Sequence, residues 1–233
     1  MRRLLTWWQI TMVLFAIALS ITSILCYHHL YGKKKRHLLI IGCARSGTTY
    51  ITKALKQCGY KIGHEVIKKD GVCSWEMVVD TKKVPWGDGK NGYRFDHVFH
   101  QVRHPLKVIA SLYPTEPPQS FEFIREHIPE IKQEDSRLTL CAKYWYYWNL
   151  RAESQAELTY CIEKLENVWG ELEVRLGKNL DRAVLETIPK TTNTRGSCQY
   201  FTWKELQQQL EPDLYEKILA LAQKYGYSLE ELP

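Results

Sequence analysis

The 233-residue sequence lacks features that would place it in several common classes of protein. Its seven cysteines include no CxxC pair, which argues against a zinc site, and they give no disulfide framework. Its His, Asp and Glu residues show no metal-ligand spacing, so no metal is expected. There is no Asn-x-Ser/Thr sequon, internal repeat or low-complexity segment. The length suits one globular domain with a substantial core, rather than two domains.

Charged residues are missing from one long stretch near the amino terminus. Between Leu4 and Tyr31 there is no Asp, Glu, Lys or Arg, and Ile10 to Leu25 is almost wholly apolar. Aromatic residues flank this stretch, as they flank segments that cross a membrane. It predicts one transmembrane helix within an amino-terminal anchor at residues 1–36, followed by a globular domain at 37–233. A cleaved signal peptide is the alternative, but its apolar region would be shorter.

The formal net charge of +6 does not indicate a nucleic-acid partner. Six of the 32 basic residues lie in the first 36 positions, which hold no acid, so the remaining 26 face 26 acidic residues. The excess therefore belongs to the membrane flanks, and no nucleic acid is expected. The cytoplasmic flank of a transmembrane helix usually carries more Lys and Arg than the opposite flank. Here Lys33 to Arg36 follow the predicted helix and outnumber Arg2 and Arg3 before it, which favours a cytoplasmic domain.

Apolar runs alternate with segments of helical period. His37 to Ile41 and Asp96 to Val102 predict buried strands, with helices following at Tyr50 to Gln57 and from Pro105. This alternation predicts an α/β fold, a three-layer sandwich around a mainly parallel sheet. The same patterns predict strands at Tyr60 to Ile62 and Thr159 to Ile162, and helices at Ser136 to Gln155, Glu163 to Leu176, Trp203 to Gln209 and Pro212 to Tyr225.

Two segments call for separate interpretation. Lys68 to Tyr93 is rich in Gly, Lys and Asp, which predicts a long surface excursion that either lines a substrate cleft or is an ordinary exposed loop. Tyr144 to Trp148 is a run of five aromatic residues within a predicted helix. Most of the five aromatic side chains are expected to pack in the core.

A glycine-bearing loop joins the first predicted strand to the first predicted helix. It reads Gly42-Cys-Ala-Arg-Ser-Gly-Thr-Thr49. At such a junction the backbone N–H groups and the helix dipole favour an anion, so the loop predicts a P-loop-like phosphate site. The P-loop of ATP-binding and GTP-binding enzymes has a lysine after its second glycine, whereas this chain has Thr48. A kinase or ATPase is therefore disfavoured.

The end of this loop resembles the 5'-phosphosulfate loop of the sulfotransferases that use 3'-phosphoadenosine 5'-phosphosulfate (PAPS). The resemblance implies that the donor's 5' phosphosulfate is held by Arg45, Ser46, Gly47, Thr48 and Thr49. The family's second signature is an arginine at a strand end followed eight residues later by a serine, and both residues contact the donor's 3' phosphate. In this chain Arg103 and Ser111 match that signature. Ser111 lies about two turns into the helix that begins near Pro105, so its hydroxyl can point back at the phosphate.

Weaker matches lie further along the chain. Thr159 to Leu165 resembles a strand ending in Glu-Asp-Leu in many members, but Lys164 replaces the acid, which puts any role of that acid in doubt. Some members place a basic residue and a glycine in a late loop over the 3' phosphate. Arg195, followed by Gly196, matches that pattern.

Sulfuryl transfer needs in-line attack, charge stabilisation and a base for the acceptor hydroxyl. Arg45 is the expected source of positive charge. His64 and Glu65 follow a predicted strand, and the family uses either a histidine or a glutamate as base, so both are candidates. A surface turn is the alternative for this pair, and His97, His100 and His104 are rivals near the second signature.

The resemblance implies a sulfotransferase that moves the sulfuryl group of PAPS, without a metal, to a hydroxyl or amine. A membrane anchor is more similar to the Golgi members that act on carbohydrates, which implies a carbohydrate acceptor. The expected location is a single-pass protein of the Golgi membrane in a eukaryote, or otherwise a membrane protein whose domain faces the cytoplasm. Two alternatives are a nucleotide kinase with a degenerate loop and a catalytically silent binding protein of the same fold.

Overall fold

The computed structural model describes residues 7–189 and 199–228. The strands are β1 (Lys34–Gly42), β2 (Ile62–His64), β3 (Gly71–Cys73), β4 (Tyr93–Val102) and β5 (Leu158–Cys161). The α-helices are α1 (Trp7–Tyr31), α2 (Thr48–Gln57), α3 (Pro105–Thr115), α4 (Pro118–His127), α5 (Arg137–Glu153), α6 (Leu165–Leu176), α7 (Val184–Thr187), α8 (Trp203–Gln209) and α9 (Pro212–Lys224). Single 3-10 turns lie at Glu76–Val78 and Ile162–Lys164.

The strands form one parallel sheet in the order β2-β3-β1-β4-β5. The predicted α/β fold with a parallel sheet is therefore confirmed. From β1 the chain runs first to β2 and β3 on one side, and then crosses to β4 and β5 on the other. The carboxyl ends of β1 and β4 thus flank the point at which the strand order reverses, where open α/β folds bind ligands.

Two apolar layers cover the two faces of the sheet because successive side chains of a strand point to opposite faces. Leu39 and Ile41 of β1 pack with residues of α3, α5, α8 and α9. Leu38 and Ile40 pack with residues of α2 and α6. All four of these β1 side chains are buried, as expected for a parallel strand covered on both faces.

Helix α5 carries the aromatic run into the larger layer. Tyr144, Trp145 and Trp148 are fully buried, as predicted for most of these rings. Two indole N–H groups also donate to backbone carbonyls, from Trp148 to Trp75 and from Trp145 to Arg103, each at 3.0 Å. Trp145 therefore ties this helix to the end of β4.

The prediction of a surface excursion from Lys68 to Tyr93 is wrong for its first half. Gly71 to Val79 is buried throughout, and β3 within it pairs with both β1 and β2. A three-residue strand is too short to show a periodic pattern. Lys68 and Lys69 before this stretch, and the residues from Asp80 to Gly92 after it, run at or near the surface.

Helix α1 and the start of the sheet are connected by two residues only. The side chains of residues 7–23 are exposed. Within the ranges that the structure describes, no helix is long and apolar enough to cross a membrane. The anchor at residues 1–36 stays a prediction.

Strand β1 begins within the basic flank, three residues before the predicted domain boundary. Lys34 pairs in register with Tyr93 of β4. Lys35 forms an ion pair with Asp96 at 2.7 Å, and Lys33 forms one with Asp80 at 3.1 Å. Residues 34–36 of the basic flank are thus part of the central strand of the sheet. Helices α4 and α7 were not predicted.

Replacing Gly71 by alanine is expected to destabilise the central sheet. Its φ is +146°, and a Cβ atom there would lie 1.8 Å from the carbonyl oxygen of Leu38. We expect Gly71→Ala to lower the free energy of unfolding by about 3 kcal/mol or more in urea titrations. Gly170→Ala is the control, since that position in α6 is open, and it should gain about 0.5–1 kcal/mol. Equal stability of the two variants would contradict the position of β3.

Candidate functional site

The loop from Gly42 to Thr49, the predicted phosphate loop, leaves β1 at Gly42 and enters α2 at Thr48. Two residues within it have a left-handed backbone. Arg45 and Gly47 have φ values of +68° and +90°. The turn is closed by the N–H of Ser46, which donates to the carbonyl of Cys43 at 3.2 Å. Gly47 is the N-cap of α2, and its carbonyl accepts the N–H groups of Tyr50 and Ile51. The loop therefore ends at a helix N-terminus, where backbone N–H groups are available to a ligand. This is the arrangement in which backbone amides and a helix dipole bind an anion.

Buried side chains hold this loop in place from two elements. The N–H of Ala44 donates to the hydroxyl of Tyr144 in α5 at 2.7 Å. The Gln101 side chain of β4 donates to the carbonyl of Ser46 at 2.7 Å, and its own oxygen accepts from the hydroxyl of Tyr160 at 2.9 Å. Because these side chains are almost fully buried, the loop is preorganised.

The two sequence signatures meet at the carboxyl ends of β1 and β4. Arg45 donates through Nε to the hydroxyl of Ser111 at 2.9 Å. Arg103 donates through its guanidinium to the carbonyl of Arg45, also at 2.9 Å. The fold therefore brings together, beside the loop, the side chain of Arg45 and two side chains that lie about sixty residues later in the chain. Guanidinium groups bind phosphate oxygens in a bidentate geometry.

His64, the last residue of β2, lies against the start of α2. Its Nε2 is 3.0 Å from the hydroxyl of Thr48 and 3.1 Å from that of Thr49. Burial lowers the pKa of His64, and the charges of Lys56 and Arg45 lower it further. The ring is thus neutral at pH 7 and connects the phosphate loop to the end of β2.

Glu65 follows directly and is held in an unusual backbone conformation. Its φ is +60°, and together with Arg45 it forms the whole set of non-glycine residues with positive φ in the described ranges. Such residues are uncommon and concentrate at functional sites. The carboxylate lies 3.6 Å from His64 Nε2 through Oε1 and accepts from Ser74 through Oε2 at 2.5 Å.

Burial raises the pKa of Glu65 to about 8. The Ser74 hydroxyl lowers it, while the charges of Glu76 and Glu116 raise it. Glu76 is itself fully buried, which raises its pKa to about 7, while the backbone amides of Trp86 and Gly87 lower it. A carboxyl with a pKa near the working pH can exchange protons.

The rival histidines lie elsewhere. His97, in the middle of β4, contacts Glu157 at 2.7 Å. His100 is fully buried between Asn149 and Thr159, and burial lowers its pKa to about 4. His104 accepts the N–H of Leu106 through Nδ1, which caps α3. Of these five side chains, only His64 has a described hydrogen bond with the threonines of the loop, and Glu65 lies beside His64.

The weaker sequence matches have structural roles where the structure describes them. Glu163 accepts the backbone N–H of His104 at 3.1 Å and the hydroxyl of Tyr227 at 2.9 Å. Lys164 donates to the carbonyl of Gly226 at 2.8 Å. Both residues fasten the carboxyl-terminal segment. Arg195 lies outside the described residues.

Sequence reasoning missed the residues that support the site. Gln101 could have been noticed as a polar residue in an otherwise buried strand. Tyr144 was hidden within five consecutive aromatics, and Ser74 lay in a segment interpreted as a surface loop. None of the three belongs to a recognisable motif.

Comparison with known proteins gives little guidance. No protein-family model and no curated protein matches the chain. Among solved structures, the crystal structure of mouse sulfotransferase SULT7A1 complexed with PAP covers 80% of this chain and 71% of that chain. The sequence identity is 10% and the TM-score is 0.37. This similarity is too low to support an assignment of function, so the function has to be inferred from the residues of this chain.

Removing the hydroxyl of Tyr144 is expected to weaken the phosphate loop. Tyr144→Phe leaves the N–H of Ala44 without its partner in a buried position, which costs about 1–3 kcal/mol of unfolding free energy. Tyr146→Phe, on the same helix but partly exposed, should change stability by less than about 0.5 kcal/mol. Chemical denaturation of both variants tests this, and equal losses would show that the contact does not hold the loop.

Proposed function

We propose that this protein is a PAPS-dependent sulfotransferase. The observation that carries the proposal is the junction of the two signatures, in which Arg45 donates to Ser111 and Arg103 donates to the carbonyl of Arg45. A ligand with phosphate groups at two positions could place one phosphate against the loop and the second against this junction. PAPS is such a ligand.

The chemistry of the side chains fits this donor. Arg45 and Arg103 supply two cations, Ser111 and the loop threonines supply hydroxyl donors, and the start of α2 supplies backbone N–H groups. Arg45 and the amides at the start of α2 would hold the 5' phosphosulfate, and Arg103 with Ser111 would hold the 3' phosphate. The bound donor supplies the electrophilic sulfuryl group.

The residues of the chain then have separate tasks. Glu65 accepts the proton of the acceptor hydroxyl as the oxygen attacks sulfur, and the bond from sulfur to the bridging phosphate oxygen breaks. Arg45 neutralises the charge on the departing phosphate. His64 links the loop threonines to Glu65, within reach of either group as a second candidate base.

Two other functions are less well supported. A nucleotide kinase would need a cation where Thr48 stands, and that hydroxyl instead contacts His64. A silent binding protein would not require a largely buried carboxyl, that of Glu65, on a strained backbone beside His64. We propose a carbohydrate hydroxyl or amine as acceptor, and a single membrane anchor at residues 1–36. The anchor would place the protein in the Golgi membrane if the source is a eukaryote, and otherwise in a membrane with the domain on its cytoplasmic face.

Donor recognition is tested by calorimetry on the full chain with adenosine 3',5'-bisphosphate, the product left after transfer. We expect micromolar affinity, equivalent to about 8 kcal/mol, and weaker binding of ATP with magnesium. The Arg103→Ala, Ser111→Ala double variant should lose about a hundredfold in affinity because a charged contact and a hydroxyl contact disappear.

Arg94→Ala is the matched control for this loss. Arg94 is exposed near the opposite end of β4, so its removal should leave product affinity unchanged. A preference for ATP, or no binding of the bisphosphate, would overturn the sulfotransferase proposal.

The base is tested by the pH dependence of transfer. Glu65 must be ionised to accept a proton, so kcat/KM should rise with pH and level off above a pKa of about 8. Glu65→Gln should reduce kcat by about 10²–10⁴-fold with donor affinity retained, and His64→Ala identifies the contribution of the ring. Unchanged turnover in both variants would exclude this pair as the base.

A further inference from the structure

Ser74 lies immediately after β3, where its hydroxyl is fully buried between two glutamates. Its Oγ is 2.5 Å from Oε2 of Glu65 and 3.2 Å from the backbone nitrogen of Glu76. A backbone N–H can only donate, so Ser74 accepts from Glu76. The single hydroxyl hydrogen of Ser74 is therefore directed to Glu65.

This direction makes the two oxygens of Glu65 unequal. Oε2 accepts from Ser74, and the carboxylate also accepts from the backbone N–H of Trp75. A protonated carboxyl accepts more strongly through its carbonyl oxygen than through its O–H oxygen, so the contact with Ser74 favours the proton on Oε1. Oε1 is also the oxygen that lies 3.6 Å from His64 Nε2, on the side of the phosphate loop. The oxygen left to exchange a proton is thus the one that faces the candidate reaction site.

The backbone of Glu65 is fixed as firmly as its side chain. Its N–H donates to Cys73 at 3.0 Å, and its carbonyl accepts from Asp88 at 2.9 Å. Gly87 packs directly on that carbonyl, since a Cβ at Gly87 would lie 2.2 Å from it. These contacts maintain the positive φ of Glu65 and so fix the direction in which its side chain leaves the backbone.

We infer that Ser74 is a positioning residue, whose hydroxyl fixes Oε2 of Glu65 and so directs Oε1 to the proton that is transferred. The inference rests on the proposed function for the identity of the reaction, but the orienting contact itself does not. The charges of Glu76 and Glu116 act on Glu65, and the charge of Glu65 acts on Cys73 and Tyr144. His64 precedes Glu65 in the chain and contacts its carboxylate.

The test follows the ionisation of Glu65 directly, by ¹³C NMR of its carboxyl carbon across pH in the full chain. The resonance is assigned with Glu65→Gln. Ser74→Ala removes a hydrogen bond that favours the ionised form, so the Glu65 midpoint should rise by about one pH unit. The rising limb of kcat/KM should move by the same amount, which lowers the rate at pH 7 about tenfold, and the affinity for adenosine 3',5'-bisphosphate should not change.

Ser120→Ala is the matched control. Ser120 is equally buried, but its hydroxyl accepts from the Trp86 indole at 2.9 Å, so neither the Glu65 midpoint nor the pH limb should move. Ser74→Cys retains the shape with a weaker donor and should give a smaller shift, and it replaces Ser74→Ala if that variant does not fold.

The outcomes separate this inference from the proposed function. An unchanged Glu65 midpoint in Ser74→Ala, or an equal shift in Ser120→Ala, would overturn the assignment of Ser74. A shifted midpoint in a protein that transfers no sulfuryl group would support the orienting contact and overturn the function. A shifted midpoint together with a shifted pH limb would support both.

Discussion

The close parallel pairing of β1 with β4 is the constraint on which the site depends. At the last registered pair, Gly42 lies so near Gln101 that a Cβ atom would be 2.2 Å from the Gln101 carbonyl oxygen. Because the two strands end together, the phosphate loop and Arg103 emerge side by side. The hydrogen bonds from Arg103 to Arg45, and from Arg45 to Ser111, follow from that position.

The second feature of the site is strain that the surrounding structure maintains. A left-handed backbone costs a non-glycine residue about 1 kcal/mol or more, and Arg45 and Glu65 both adopt it. Each is held by contacts from a neighbouring element, Arg45 by Arg103 and Glu65 by the segment from Gly87 to Asp88. One residue carries a guanidinium and the other a carboxyl, and both act on or contact His64.

Burial then gives these groups their chemical character. Glu65 and Glu76 lie under the loop between β3 and β4, and burial raises the pKa of both towards neutrality. Ser74 acts in the opposite direction on Glu65 by stabilising the ionised form. The balance leaves a carboxyl that can change protonation state near physiological pH, which a surface glutamate with a pKa near 4 could not do.

The sequence alone predicted the parallel α/β fold and the glycine-bearing loop, because long apolar strands, helical periods and glycine turns are local signals. The sequence indicated the pair Arg103 and Ser111 only through its resemblance to a sulfotransferase signature. It also indicated His64 and Glu65 through their place after a predicted strand. It did not indicate β3, which is three residues long, or Ser74, Gln101 and Tyr144, which carry no motif. Their roles arise from contacts between residues far apart in the chain. Only the tertiary structure decided that Arg45 meets Ser111, that Glu65 is largely buried and strained, and that the rival histidines have other partners. Burial and hydrogen-bond direction exist only once the sheet has formed.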